Sequence, residues 1–111
     1  VVAADDHAVF LEKAMKPKLS EIQIIPIKPQ NGLVAFASFV LDKNLYLGSI
    51  GVMTRLQGGY RLTYPTKKVG IKDLNIFYPI NKAFAEEIER SVSEKIEEVM
   101  KNHDRHNSFN P

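Results

Sequence analysis

Two short basic stretches are the parts of this sequence best equipped for chemistry. Pro65-Thr66-Lys67-Lys68 joins a rigid proline to a hydroxyl and two ammonium groups. The proline ends a strand and stiffens the backbone. The Thr66 hydroxyl and N–H can donate to a phosphate oxygen, and Lys67 and Lys68 supply point charges. Such a set holds a nucleic-acid backbone, giving affinity that falls with salt but little information about base sequence. Arg55 and Arg61 flank a Gln57-Gly58-Gly59 turn, and Lys72 follows the basic connector. The two arginines are the residues best able to make a two-pronged contact with a guanine edge, and a hairpin over 56–60 would carry both near its tip. A plainer reading stands beside each: a solvated basic turn, and two arginines exposed on a hairpin. Tyr60, Tyr64, Phe77 and Tyr78 can stack on unpaired bases, although aromatics on short strands more often pack across a sheet.

Other chemistries find less support. His103 and His106 form an H-x-x-H pair with only Asp104 nearby, in a segment that reads as a solvated tail, so no metal is expected. The chain has no Cys, which excludes disulfides, thiolate catalysis, iron–sulfur clusters and Cys-type zinc sites and fits a reducing cytosol. The glutamates of the last helix have no partner arrangement for acid–base work. There is no Walker loop, dinucleotide fingerprint or local Ser/His/Asp signature. Neither enzyme activity, nor a cofactor, nor a small-molecule substrate is expected.

The 111 residues carry 15 Lys+Arg against 13 Asp+Glu, a balance that hides its distribution. Residues 1–21 hold three basic and four acidic groups, net −1. Residues 22–82 hold eight basic groups and two acidic, net +6, and residues 83–111 hold four basic and seven acidic, net −3. A basic middle between acidic ends points to a surface presented to a polyanion, or to solvated lysines on the open face of a sheet. The longest apolar run, Leu33 to Leu41, is far below the roughly 20 residues that cross a bilayer. The start has neither the basic nor the apolar region of a signal peptide, and Val1 is not an initiator Met, so the natural N-terminus is expected to lie elsewhere.

These residues need elements to position them. Asp5 or Asp6 can cap a short helix with Val9, Phe10, Ala14 and Met15 on one stripe, stopped by Pro17. Ile22 to Ile27, interrupted by Pro26, reads as an edge strand or one that ends irregularly. After Asn31-Gly32, Leu33–Leu41 runs with little alternation, as in a strand buried on much of both faces. Asp42-Lys43-Asn44 suits a hairpin before Leu45–Met53. Tyr60 to Tyr64 alternates, Thr66–Gly70 reads as a polar connector, and a last strand falls around Leu74 to Tyr78. Asn81 is the best N-cap for a long helix whose stripe is Phe84, Ile88, Val92, Ile96 and Val99, fraying after Lys101.

The series from Ala35-Phe-Ala-Ser-Phe-Val-Leu-Asp42 onward resembles the stage V sporulation protein G (septation protein G) family. Its "ALASI-x-LD" strand matches Ala35–Asp42, and its "F-x-V-x-x-I-x-V" strand matches Leu45–Met53. A glycine turn matches Gly58-Gly59, an "MPS" plus basic stretch matches Tyr64–Lys68, and a "D-I-x-HPI" segment matches Asn75–Ile80 before the helix. Gly51 stands where the family often has a basic residue, and Asn75 and Tyr78 replace its acidic residue and histidine. The resemblance covers about residues 21–100. It implies a small dimeric α+β protein that binds DNA, and in some members RNA, to modulate gene expression in sporulation or septation during cell division.

The expected fold is therefore α+β: a mainly antiparallel sheet of about five strands with a long C-terminal helix and an added short N-terminal helix. The expected divisions are an extension over 1–20, the α+β domain over 21–101 and a flexible tail over 102–111. The expected function is a cytoplasmic nucleic-acid-binding regulator, homodimeric, contacting its target through Arg55, Arg61, Thr66, Lys67, Lys68 and Lys72. The alternative is a protein–protein adaptor of the division or sporulation machinery that binds no nucleic acid.

Overall fold

The computed structural model describes residues 17–108, with side chains as far as Asn102. Four antiparallel strands in sequential order build the main sheet: β1 (Leu19–Gln30), β2 (Leu33–Leu41), β3 (Leu45–Thr54) and β4 (Tyr60–Thr63). A separate two-stranded ribbon, β5 (Thr66–Val69) and β6 (Lys72–Asn75), follows, and then one helix, α1 (Lys82–Ser108). The class is α+β, as expected. The expected N-terminal helix lies outside the described residues, and Leu19 and Ser20, assigned by sequence to that extension, belong to β1. The helical backbone also continues past Lys101 to Ser108, beyond the point where the sequence reading ends it.

The register explains which side chains meet. One set of cross-strand neighbours is Ile24, Ala37 and Ile50, and another is Pro26, Ala35, Val52 and Leu62. These face α1, whose Ile88, Val92 and Ile96 complete a core with Phe39. Small Ala35 and Ala37 lie on the central strand within this core, and the larger side chains fill in around them. The alternate set, Ile25, Phe36, Gly51 and Thr63, lies on the opposite face, where Ile25 and Phe36 are exposed. Strand β2 is buried or half-buried on both faces, Ser38 included, except at Phe36, the one exposed position in its run.

A bulge keeps this pattern in phase. Between the pairs Ala37↔Ile50 and Phe39↔Leu47 the register slips, with Ser49 in the left-handed region at φ 60°. The extra residue turns Leu47 back toward the helix side, where it packs against the core. At the β2–β3 hairpin, Asp42 and Lys43 also take positive φ, 51° and 57°, and the Asn44 N–H donates to the Leu41 carbonyl. Strand β1 is an edge, as Pro26 requires. Asn81 caps the helix, its Oδ1 accepting from the Phe84 N–H at 2.9 Å.

Ile96 sits at the centre of this helix–sheet seal with no exposed surface. Ile96→Ala removes buried methylenes that the rigid sheet cannot collapse to replace, so urea unfolding should show a loss of about 2–5 kcal/mol without loss of the fold.

Candidate nucleic-acid interface

The segment read from sequence as a connector, Thr66–Gly70, is for the most part a strand. Thr66 pairs with Asn75, Lys67 with Leu74, Lys68 with Asp73 and Val69 with Lys72. The last strand is accordingly Lys72–Asn75, not Leu74–Tyr78. Gly70, at φ 63°, and Ile71 make the two-residue turn; glycine at the first turn position is what a type II′ hairpin requires. Every residue of both strands is exposed. A two-stranded ribbon is marginal alone in water, so its anchorage matters. The Ile76 N–H donates to the Pro65 carbonyl at 3.0 Å, and the Tyr64 and Phe77 rings meet edge to face with centroids 6.1 Å apart. Both rings pack against the core. The ribbon thus springs from the sheet at Tyr64-Pro65 and returns at Ile76-Phe77.

Directly opposed residues of an antiparallel pair share a face, so the ribbon divides the basic set. Lys67 and Lys72 stand on one face with Val69 and Leu74; Thr66 and Lys68 stand on the other with Asn75 and Asp73. Asp73 is the ribbon's one carboxylate and lies directly across from Lys68. Four of the six expected contact residues are thereby gathered on one small projection, with lysines on both of its faces.

The two arginines part company. Arg61, on β4, is opposite Met53 and on the open face of the sheet. Arg55 turns the other way: its Nη2 donates to Glu89 Oε1 of α1 at 2.5 Å and its Nε to the Tyr60 carbonyl at 3.2 Å. With two of its donors engaged there, Arg55 ties the 55–59 loop to the helix while its side chain stays about half exposed. Both partners are partly solvated, so the pair contributes at most about 1 kcal/mol and acts mainly as a positioning contact. The hairpin geometry expected from Gly58-Gly59 is present, but its arginines sit on different sides of the sheet. Of the four aromatics, Tyr60, Tyr64 and Phe77 pack against the core, and only Tyr78 is exposed. The side chains of His103 and His106 lie outside the described residues. Among the described residues, no three His, Asp or Glu side chains gather in a way that could hold a metal, and no helix is long and apolar enough to cross a membrane.

Sequence reasoning missed two exposed aromatic positions. Phe36 and Tyr46 lie on the uncovered face of the central strands. The detectable signal was Gly48: a Cβ there would fall 2.8 Å from the Tyr46 hydroxyl, so the glycine makes room for the ring lying across it.

Among the described residues, the Tyr64 phenol stands out for its shifted protonation. Burial, and secondly the Glu89 carboxylate, push its phenol up to about 12 from 10.0. Between those values the unfolded chain loses this proton while the folded protein retains it. Stability attributable to Tyr64 is thus present below pH 10 and lost as pH rises toward 12. An ultraviolet phenolate titration should show one tyrosine with a midpoint near 12, and Tyr64→Phe should abolish that component; retention of the late component in the variant would assign it elsewhere. Comparison with known protein families and with characterised proteins found no match to this chain.

Proposed function

We propose that this chain is a cytoplasmic nucleic-acid-binding regulator and not an enzyme, a relative of the stage V sporulation protein G family acting in sporulation or septation, with the β5–β6 ribbon as its principal contact. One observation carries the reading: a fully exposed two-stranded ribbon bearing Lys67, Lys68, Lys72 and Thr66 and a single carboxylate. A ribbon of this width fits the major groove of a duplex. Lysines on its two faces can then reach phosphates on both walls of the groove, while the Thr66 hydroxyl adds a neutral donor. Helix α1 holds seven acidic against five basic residues, net −2, while the ribbon holds three lysines against one carboxylate, net +2, so the ribbon is the part of the two that favours a polyanion. Arg61 extends the basic surface onto the sheet, and Arg55 supports the hairpin behind it. Pairing with a second copy would double the contact surface and raise affinity without new contacts per chain.

A protein–protein adaptor is the second reading, favoured by the exposed apolar residues Ile71, Ile76, Tyr78 and Ile80, which have the character of a docking strip. Charge reversal separates the two. In Lys67→Glu with Lys68→Glu, anisotropy with a labelled duplex should show affinity reduced by about 100-fold or more at low salt, and the salt dependence of what remains should be shallower. Duplex affinity unchanged by the double reversal would remove the ribbon from the interface.

A further inference from the structure

The face of the sheet turned away from α1 is a second surface with its own chemistry. On it stand Gln23 and Ile25 from β1, Phe36 from β2, Tyr46 from β3, and Arg61 and Thr63 from β4, placed together by the register of the four strands. Phe36 is 39% exposed and Tyr46 is 68% exposed, both on the two central strands. The Tyr46 ring lies across Gly48, where any side chain would push it away. Beside Phe36, Gly51 is buried, and the Thr63 hydroxyl and Leu33 occupy the space a side chain there would take. Two aromatic rings are thus presented on one face of the sheet, with an arginine at its margin.

We propose that this open face is a stacking platform for unpaired bases of a single-stranded nucleic acid, distinct from the ribbon and its phosphate contacts. Aromatic side chains on the central strands of a four-stranded sheet are suited to this, because every base has a flat face and stacking needs no particular sequence. Phe36 pairs in register with Gly51 and Val40 with Tyr46, so the backbone positions that carry the two rings are four residues apart along the strands, about 13 Å. An extended single strand spans that distance with its bases splayed, whereas a duplex keeps its bases stacked inside. The charge of Arg61 on this face favours a polyanion over a neutral or basic peptide. The inference deepens the nucleic-acid reading by naming a ligand class and a site, but it does not depend on the ribbon being the duplex contact.

The test uses labelled oligo-dT and oligo-U as the DNA and RNA forms of the same unpaired ligand, with a hairpin duplex alongside, and compares the parent with Phe36→Leu/Tyr46→Leu. Leucine keeps apolar bulk while removing the rings, and thermal melting checks that the variant is folded. The parent should bind one or both single strands, and the variant should bind them about tenfold or more weakly with duplex affinity retained. Because the chain has no Trp, tyrosine emission is directly readable. Oligonucleotide should quench it in the parent and much less in Tyr46→Leu. Gly48→Val, which displaces the Tyr46 ring without removing it, should reproduce the loss. Equal single-strand affinity in parent and variant overturns the proposal, as does a parent that binds duplex but neither single strand, an outcome that leaves the ribbon reading standing. A shift of the parent from dimer to monomer on ring removal would reassign the face to a second copy of the chain and also overturn it.

Discussion

A single helix can cover only one face of a four-stranded sheet, and most of the molecule's character follows from that limit. Ile88, Val92 and Ile96 seal Ile24, Ala35, Ala37, Ile50 and Val52 from water on one side. No second helix among the described residues closes the other side, so Phe36, Ile25 and Tyr46 remain in solvent. The Ser49 bulge keeps this division clean by returning Leu47 to the covered side and leaving Tyr46 outside. A strand pair without that slip would have buried the tyrosine and exposed the leucine.

The second organising feature is where the chain leaves the sheet. Strand β4 ends at Thr63, and Pro65 lacks the N–H that would continue the ladder. The next two strands therefore pair with one another and project as a ribbon, held at its root by the Tyr64–Phe77 contact and the Ile76–Pro65 hydrogen bond. Glu89 links this root to the helix: it accepts from Arg55, and its charge is felt by the Tyr64 phenol. The ribbon carries three lysines against one carboxylate, net +2, and α1 carries seven acidic against five basic residues, net −2, on a chain of nearly balanced charge.

Much of this was legible in the residues, where periodicity or a specific cap fixed the outcome. The α1 stripe, the Asn81 cap, the Asp42–Asn44 hairpin and the edge position of the strand holding Pro26 all rest on local rules that the fold obeys. The ribbon was harder to read. With every residue of β5 exposed, Thr66–Val69 has no apolar alternation to betray a strand, and only its pairing with Lys72–Asn75 makes it one. The apolar look of Leu74 to Tyr78 then drew the last strand too far along the chain, although Ile76 and Tyr78 are exposed. At the site, the sequence located the basic residues but not their directions. Arg55 and Arg61 flank one turn, yet the side to which each points is decided by strand alternation and by Glu89, distant in sequence. Phe36 was concealed between two alanines in a run that looked uniformly buried.

The most direct test of the central claim is residue-resolved mapping of the contact. An amide NMR titration of the full chain with a short duplex at low salt should concentrate its shifts in Thr66–Asn75 and at Arg61, with the acidic face of α1 unmoved, and added salt should reverse them. Shifts centred on residues 82–102 with the ribbon silent, or no shifts at any site at low salt, would contradict the account.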